Sequence, residues 1–312
     1  MDELVSIVVP LFNEELVIDE LHARLSRLMS RPGLNCEVVL VNDGSSDQTL
    51  DKAKRICSGD RRFKLLSFSR NFGHQVAITA GIDRARGAAV VIIDADLQDP
   101  PELVVEMIAK WKEGYQVVYG VRRQRKGESR FKLATASLFY RLLRRLTDVD
   151  IPADAGDFRL LDRKVADQLV GMRERARFVR GLVSWVGFKQ CKLEYVREER
   201  FAGETKYPFR KMFKFAIDGI LGFSHLPLRI ASAFGFICSG VSFLYIFYAL
   251  AVKLGLISQA MPGWASLFVA VLFVGGVQLI CLGIIGEYLG RIYDEIKHRP
   301  LYICDEEMNF DA

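Results

Sequence analysis

Two runs near the carboxyl end of this 312-residue chain, Ile230 to Val252 and Trp264 to Gly286, contain no charged residue. A helix needs about 20 apolar residues to cross a bilayer core, and each run is long enough. They predict two transmembrane helices, in preference to two buried helices of a large core. Half of the chain is hydrophobic and mean hydropathy is +0.14, high for a soluble enzyme. Cations bracket the pair: Arg197, Arg200, Lys206, Arg210, Lys211, Lys214 and Arg229 precede it, and Arg291, Lys297 and Arg299 follow. The connecting turn carries only Lys253. The positive-inside rule then places both termini in the cytoplasm. Between Tyr207 and Phe223, Phe209, Phe213 and Phe215 alternate with Arg210, Lys211 and Lys214, as expected of helices lying in the membrane interface.

The first 200 residues have a different pattern. Val5 to Pro10, Glu37 to Asn42, Phe63 to Phe68, Ala88 to Ile93 and Gln116 to Gly120 are short apolar runs separated by helical segments. Strands alternating with helices imply an α/β unit with a parallel, doubly wound sheet. The Ala88–Ile93 strand is rich in β-branched residues and ends in acids: Asp94, Asp96, Gln98 and Asp99, then Pro100, Pro101 and Glu102. Open α/β sheets bind ligands past the carboxyl ends of their strands. Two hard carboxylates there suit Mg²⁺ or Mn²⁺ shared with phosphates; the plainer alternative is an acid-rich turn. Asp99 as N-cap, Pro100 at N1 and Glu102 closing a capping box predict a helix start. No Gly-x-Gly and no Gly-x-x-x-x-Gly-Lys occurs, which excludes a dinucleotide fingerprint and a P-loop.

Other clusters are less specific. Arg122, Arg123, Arg125 and Lys126 suit either a solvated loop or a phosphate clamp. Arg130 to Arg145 is a basic amphipathic stretch, either a packed helix or one near an anionic surface. In Gly156-Asp157-Phe158-Arg159, acid and base on alternate residues suggest a structural salt bridge when taken alone. Gly203-Glu204-Thr205-Lys206 after Arg200 is a glycine turn flanked by cations, plausible as a phosphate-closing loop. Six cysteines without Cys-x-x-Cys spacing argue for a reducing compartment rather than a disulfide frame or zinc site. A net charge of +5 makes no case for nucleic acid, and the acidic start Met1-Asp2-Glu3-Leu4 does not resemble a signal peptide.

Together these pieces resemble the inverting glycosyltransferase family 2 on the GT-A fold. The pieces are Val8-Val9-Pro10 with Asn13-Glu14, Asn42-Asp43-Gly44-Ser45 with Asp47, Asp94 through Pro100, Gly156 through Arg159, and Gly203 through Lys206. With the paired C-terminal spans, they resemble the bactoprenol-phosphate glycosyltransferases, relatives of dolichol-phosphate mannose synthase. The resemblance implies a cytoplasmic GT-A domain over 1–200, a juxtamembrane segment and acceptor loop over 201–226, a membrane hairpin over 227–292 and a cytoplasmic tail over 293–312. It implies that Pro10, Asn13, Glu14 and Asp43 cradle the nucleoside. Asp94 and Asp96, with Gln98, would hold the Mg²⁺ or Mn²⁺ and the diphosphate. Asp157 would act at sugar and acceptor alongside Asp96, and Arg122, Arg159, Arg200 and Lys206 would contact phosphates. The implied reaction moves one sugar, glucose from UDP-glucose foremost, to polyprenyl phosphate at the inner face of a bacterial plasma membrane. Galactose, N-acetylhexosamine, amino-arabinose and GDP-mannose donors stay open, as does a non-catalytic sugar-nucleotide sensor. A homo-oligomer, a tetramer foremost, is expected. The turn has Thr205 where many relatives have Ser, which keeps the hydroxyl. The Gln-x-x-Arg-Trp motif of processive synthases is absent, consistent with a single transfer.

Overall fold

A computed structural model describes residues 3–122, 155–175, 177–196, 226–254 and 263–310. They divide into two compact units. The first holds the described residues up to 196 together with 299–310, and the second holds 226–298.

The first unit is built on one sheet of eight strands among the described residues, in the order β7-β5-β6-β4-β1-β2-β3-β8. In chain order these are β1 (Leu4–Leu11), β2 (Asn35–Asn42), β3 (Phe63–Phe68), β4 (Ala89–Ile92), β5 (Val117–Arg122), β6 (Ala155–Asp162), β7 (Gln190–Tyr195) and β8 (Cys304–Met308). The helices are α1 (Ile18–Met29), α2 (Thr49–Gly59), α3 (His74–Arg84), α4 (Val104–Lys112), α5 (Arg163–Gly171) and α6 (Val179–Trp185). β1, β2, β3 and β4 are mutually parallel, and nearly every residue in them is buried. That explains their unbroken apolar sequences, since a parallel sheet is covered on both faces. β1 lies between β2 and β4, so the strand order reverses beside it. The crevice past the carboxyl ends of β1 and β4 is thus the topological switch point at which such sheets bind ligands.

Two close approaches depend on glycine. A Cβ on Gly81 of α3 would sit 2.1 Å from Val8 Cγ1, so only glycine lets the helix lie this near β1. Gly44 has φ +64, and a Cβ there would stand 2.4 Å from the Arg70 carbonyl carbon, which brings the β2 and β3 loops together.

The sheet is less purely parallel than the alternation predicts. β6 runs antiparallel between β4 and β5, and β8 pairs antiparallel with β3 at the far edge. The helix start after β4 also differs from the expected capping box. Pro100 is extended, a single 3-10 turn covers Pro101–Leu103 without a side-chain cap, and α4 begins at Val104. Asp99 is fully buried and accepts a hydrogen bond from the Tyr195 hydroxyl on β7. Glu102 instead pairs with Arg24 of α1 at 2.6 Å. A carboxylate inside an apolar core needs a donor more than a helix exposed to water needs a cap.

The second unit contains two helices, α7 (Leu226–Lys253) and α8 (Trp264–Ile296). Their apolar windows, Leu228–Tyr245 and Val269–Ile296, have mean hydropathies of 1.5 and 2.4 with 0 % of either buried, so neither is the core helix of a globular domain. The thiol of Cys281 lies 3.8 Å from the Ala231 carbonyl oxygen and joins the two helices.

Candidate active site

Four loops, those after β1, β2, β3 and β4, meet over the switch point. The loop after β1 carries Asn13, whose φ of 55 lies in the left-handed region that asparagine tolerates. Its amide oxygen accepts the Ser46 N–H at 2.9 Å, and its own N–H donates to Ser45 Oγ at 3.0 Å. The Glu14 N–H donates to Thr49 Oγ1 at 2.8 Å. Both residues therefore tie the β1 loop to the β2 loop, while Pro10 stays within β1 opposite Val41.

Asp43, at the end of β2, is buried and reaches across to the loop before α3. Its carboxylate accepts the Phe72 N–H at 2.7 Å, the Gly73 N–H at 3.0 Å and the Asn71 side-chain amide at 2.9 Å. Burial raises its pKa, and these donors only partly offset that. As the structure stands, its carboxylate organises the 69–73 loop.

After β4, Asp96 accepts the Gln98 N–H at 3.1 Å, and Leu97 between them has φ 58. A bulky buried residue in that region is strained by about 1–3 kcal/mol, and the strain holds a tight turn that sets Asp96 and Gln98 on either side. Asp94 lies deeper. One of its oxygens, Oδ1, is buried and accepts no hydrogen bond among the described residues, its ion-pair partner being His74 Nε2 at 3.4 Å. Burial raises its pKa to about 6; the charge of His74 opposes this, and Asp157, Asp99 and Asp96 reinforce it.

β6 supplies the facing wall. Ile92 pairs with Arg159 in antiparallel register, so Asp157, two residues earlier, lies beside the end of β4 that leads to Asp94. Arg180 of α6 holds Asp157 with two bonds, Nε to Oδ1 at 2.7 Å and Nη2 to Oδ2 at 2.9 Å. Gln75 Nε2 donates to Oδ2 at 3.3 Å, and Gln75 Oε1 accepts the Val179 N–H at 2.9 Å. His74 Nε2 stands 3.4 Å from both Asp157 Oδ2 and Asp94 Oδ1, bridging the two acids. Burial opposes ionisation of Asp157, but Arg180 and His74 outweigh it and hold its pKa well below the usual carboxylate range. Burial likewise disfavours charge on His74, yet the Asp157 hydrogen bond and the charges of Asp94 and Asp157 push its pKa up to about 9.

The salt bridge suggested between Asp157 and Arg159 is thus made with Arg180 instead. Arg159 is buried, donates to the Gly156 carbonyl at 2.8 Å, and has its pKa lowered by burial to about 10. Arg122 ends β5; Arg200, Lys206, the remainder of the basic cluster and the proposed interfacial helices lie outside the described residues. His74, Gln75, Arg180 and Tyr195 are not singled out by any motif. A polar Gly-His-Gln at a helix start after a strand was a weak signal for the first two; Arg180 and Tyr195 gave none, because their partners are distant in sequence.

Residues 6–170 match the model of Glycosyl transferase family 2, and residues 226–292 match that of the GtrB C-terminal hairpin. The chain belongs to glycosyltransferase family 2. This family 2 enzyme is 57% identical over 306 residues to an uncharacterised glycosyltransferase, YkcC, of Bacillus subtilis, covering 98% of this chain and 94% of the relative. It is 48% identical to an uncharacterised glycosyltransferase of Synechocystis, over 96% of this chain and 94% of that one. It is 41% identical to a bactoprenol glucosyl transferase of Shigella phage SfV, over 97% and 98%. A family 2 glycosyltransferase with two long apolar helices is a GT-A enzyme associated with membrane.

Among the described residues no three His, Cys, Asp or Glu side chains converge into a complete metal cage. The two carboxylates after β4, one with an oxygen lacking a hydrogen bond, nevertheless fit a divalent ion completed by a substrate's phosphates, as Mg²⁺ commonly is.

Proposed function

We propose that this enzyme transfers one glucose, with inversion, from UDP-glucose to a polyprenyl phosphate at the cytoplasmic face of a membrane. The observation that carries the reading is the facing pair of groups at the switch point: Asp94 and Asp96 on one side, the His74–Asp157–Arg180 cluster on the other. The names of the phage relatives and the matched hairpin support the donor sugar and the lipid acceptor. A divalent ion held by Asp94 and Asp96 would neutralise charge on the departing diphosphate. The β1 and β2 loops around Asn13, Glu14 and Asp43 would receive the nucleoside.

A phosphate monoester has a second pKa near 6, so the acceptor is largely ionised at neutral pH and needs no strong base. Asp157, with both oxygens engaged by donors, is suited to hold Arg180 and His74 in place rather than to remove a proton. Those two cations, with Lys206 and Arg200, would moderate the repulsion between two anionic substrates.

The topology of this reading rests on the chain path. β7 precedes the apolar helices and β8 follows them in one sheet, which supports an even number of bilayer crossings between them. With Arg229 before the pair and Arg291, Lys297 and Arg299 at its end, both termini are assigned to the cytoplasm. The deciding experiment incubates purified protein and undecaprenyl phosphate with a panel of labelled sugar nucleotides. Label in extracted lipid with UDP-glucose alone supports the reading; label from another donor replaces the sugar, and none from any donor rejects lipid transfer.

A further inference from the structure

We propose that Tyr302, in the segment following the second apolar helix, is a positioning residue for the transfer site. It fixes α3, and with it the seating of His74 and Gln75 against Asp157. This rests on the reading of that cluster as the site, and adds how it is held.

The segment 299–310 grips α3 and β3 from outside the ladder as well as through it. The Tyr302 ring stacks on Phe68, the last residue of β3, with centroids 5.0 Å apart and planes 23° apart. Phe68 in turn meets Phe72 edge-on at 5.6 Å, and Phe72 belongs to the loop bound by Asp43. The Ser69 N–H donates to the Ile303 carbonyl at 3.1 Å, continuing the pairing past a register shift at Ser67/Phe68. At the other end of α3, the Tyr302 hydroxyl donates to Asp83 Oδ2 at 3.0 Å, where Arg173 also binds at 2.7 Å. Arg84 pairs with Glu307. Asn309 closes the segment onto the Cys57 and Phe63 carbonyls at 2.7 and 2.8 Å.

α3 is eleven residues long, bears His74 and Gln75 at its first turn and Asp83 and Arg84 at its last, and lies against Val8 through Gly81 with no space to spare. A helix packed that closely moves as one body, so holding its last turn and the loop before it fixes where its first turn points. A strand at this edge also shields β3 from unwanted pairing. That role needs only the ladder of β8, to which neither the Tyr302 hydroxyl nor its ring belongs.

The test uses the full-length protein in nanodiscs, with UDP-glucose and undecaprenyl phosphate as substrates and amide hydrogen exchange as the second readout. Tyr302→Ala is expected to lower kcat about tenfold, as small misplacements of reacting groups do, with KM for UDP-glucose within about twofold. Exchange across residues 69–77 should quicken while β1 and β2 stay protected, as local rather than global opening requires. Tyr302→Phe keeps the stack and should fall between. Wild-type kcat and exchange in Tyr302→Ala overturn the proposal, as does faster exchange spread evenly over the sheet. Should Tyr302→Ala fail to fold, Tyr302→Phe decides alone, and wild-type kcat and exchange in it count against the proposal. His74→Gln separates the two readings. Normal transfer in that variant rejects the site itself, and the exchange data then judge the hold on α3.

Discussion

Asp94 and Asp157 meet across His74 but in different states, because their surroundings differ. Asp157 is held as an anion by Arg180 and His74, whereas burial raises Asp94 to about 6. On the proposed reading, a divalent ion held by Asp94 and Asp96 would stabilise the Asp94 anion that burial disfavours. Asp96→Ala should abolish transfer while the protein still folds and inserts, and EDTA should do the same to the wild type until Mg²⁺ or Mn²⁺ is restored. Near-wild-type activity of Asp96→Ala in EDTA-washed membranes would remove the metal assignment. Asp157→Asn keeps the shape but releases Arg180 and His74. It should cut turnover by about 100-fold or more, as loss of preorganised charge at a reacting centre does, with UDP affinity by calorimetry nearly unchanged. A large loss of UDP binding would instead put Asp157 in the nucleotide site.

Among the elements, the amino-terminal ends of β1, β2 and β3 are clipped by a buried polar network on Glu37. Its carboxylate accepts from Ser6 Oγ, from the Arg86 N–H at 2.8 Å and from Lys64 Nζ at 2.7 Å, while Ser6 Oγ accepts the Gly87 N–H at 2.8 Å. Burial raises the Glu37 pKa, but these donors outweigh it and bring it below the ordinary 4.5. The unfolded chain therefore takes up this proton more readily than the folded one. The stabilisation is full above about 4.5 and is lost as pH falls through the lower folded value. Glu37→Gln leaves Lys64, only 10% exposed, charged without its carboxylate partner, and should cost about 3–5 kcal/mol. Thermal unfolding of the variant should show less acid dependence than the wild type; an unchanged midpoint near neutral pH would contradict this. Such networks mark what was legible and what was not. β1 to β4 were visible because strands buried on both faces are uniformly apolar, and the acids after β4 stood out against that background. β6 does not stand out as a strand because Asp157 and Arg159 interrupt its apolar residues, and the partners of Asp157 come from α3 and α6, far away in sequence. β8, with Asp305, Glu306 and Glu307 in five residues, resembles a solvated tail and becomes a strand only because β3 offers an open edge. Asp99 resembled a helix cap for the same reason: sequence shows a residue's neighbours along the chain, not the Tyr195 hydroxyl that meets it in the core.

At the scale of the whole molecule, the second apolar helix is longer than a bilayer core is thick. α8 runs 33 residues, about 50 Å at 1.5 Å per residue, against a hydrocarbon core of about 30 Å. The excess is the charged end, where Glu287 and Arg291 pair at 3.2 Å across one turn. Gly275, Gly276, Gly283, Gly286 and Gly290 give α8 a low-relief surface, yet a Cβ on any of them would meet nothing within 4 Å. Packing of α8 on α7 among the described residues therefore does not require these glycines. In lipid, small residues spaced four apart let helix backbones approach and associate through close van der Waals contact. A second copy of the hairpin is the partner this predicts for Gly286 and Gly290. The double variant Gly286→Leu, Gly290→Leu should keep each chain folded, shift the detergent-solubilised particle to a smaller mass by light scattering, and lower transfer. Unchanged mass together with full activity would show that these glycines have no role between subunits. Unchanged mass with reduced activity would place their role at the lipid acceptor, near the Glu287–Arg291 pair, instead of at a second chain.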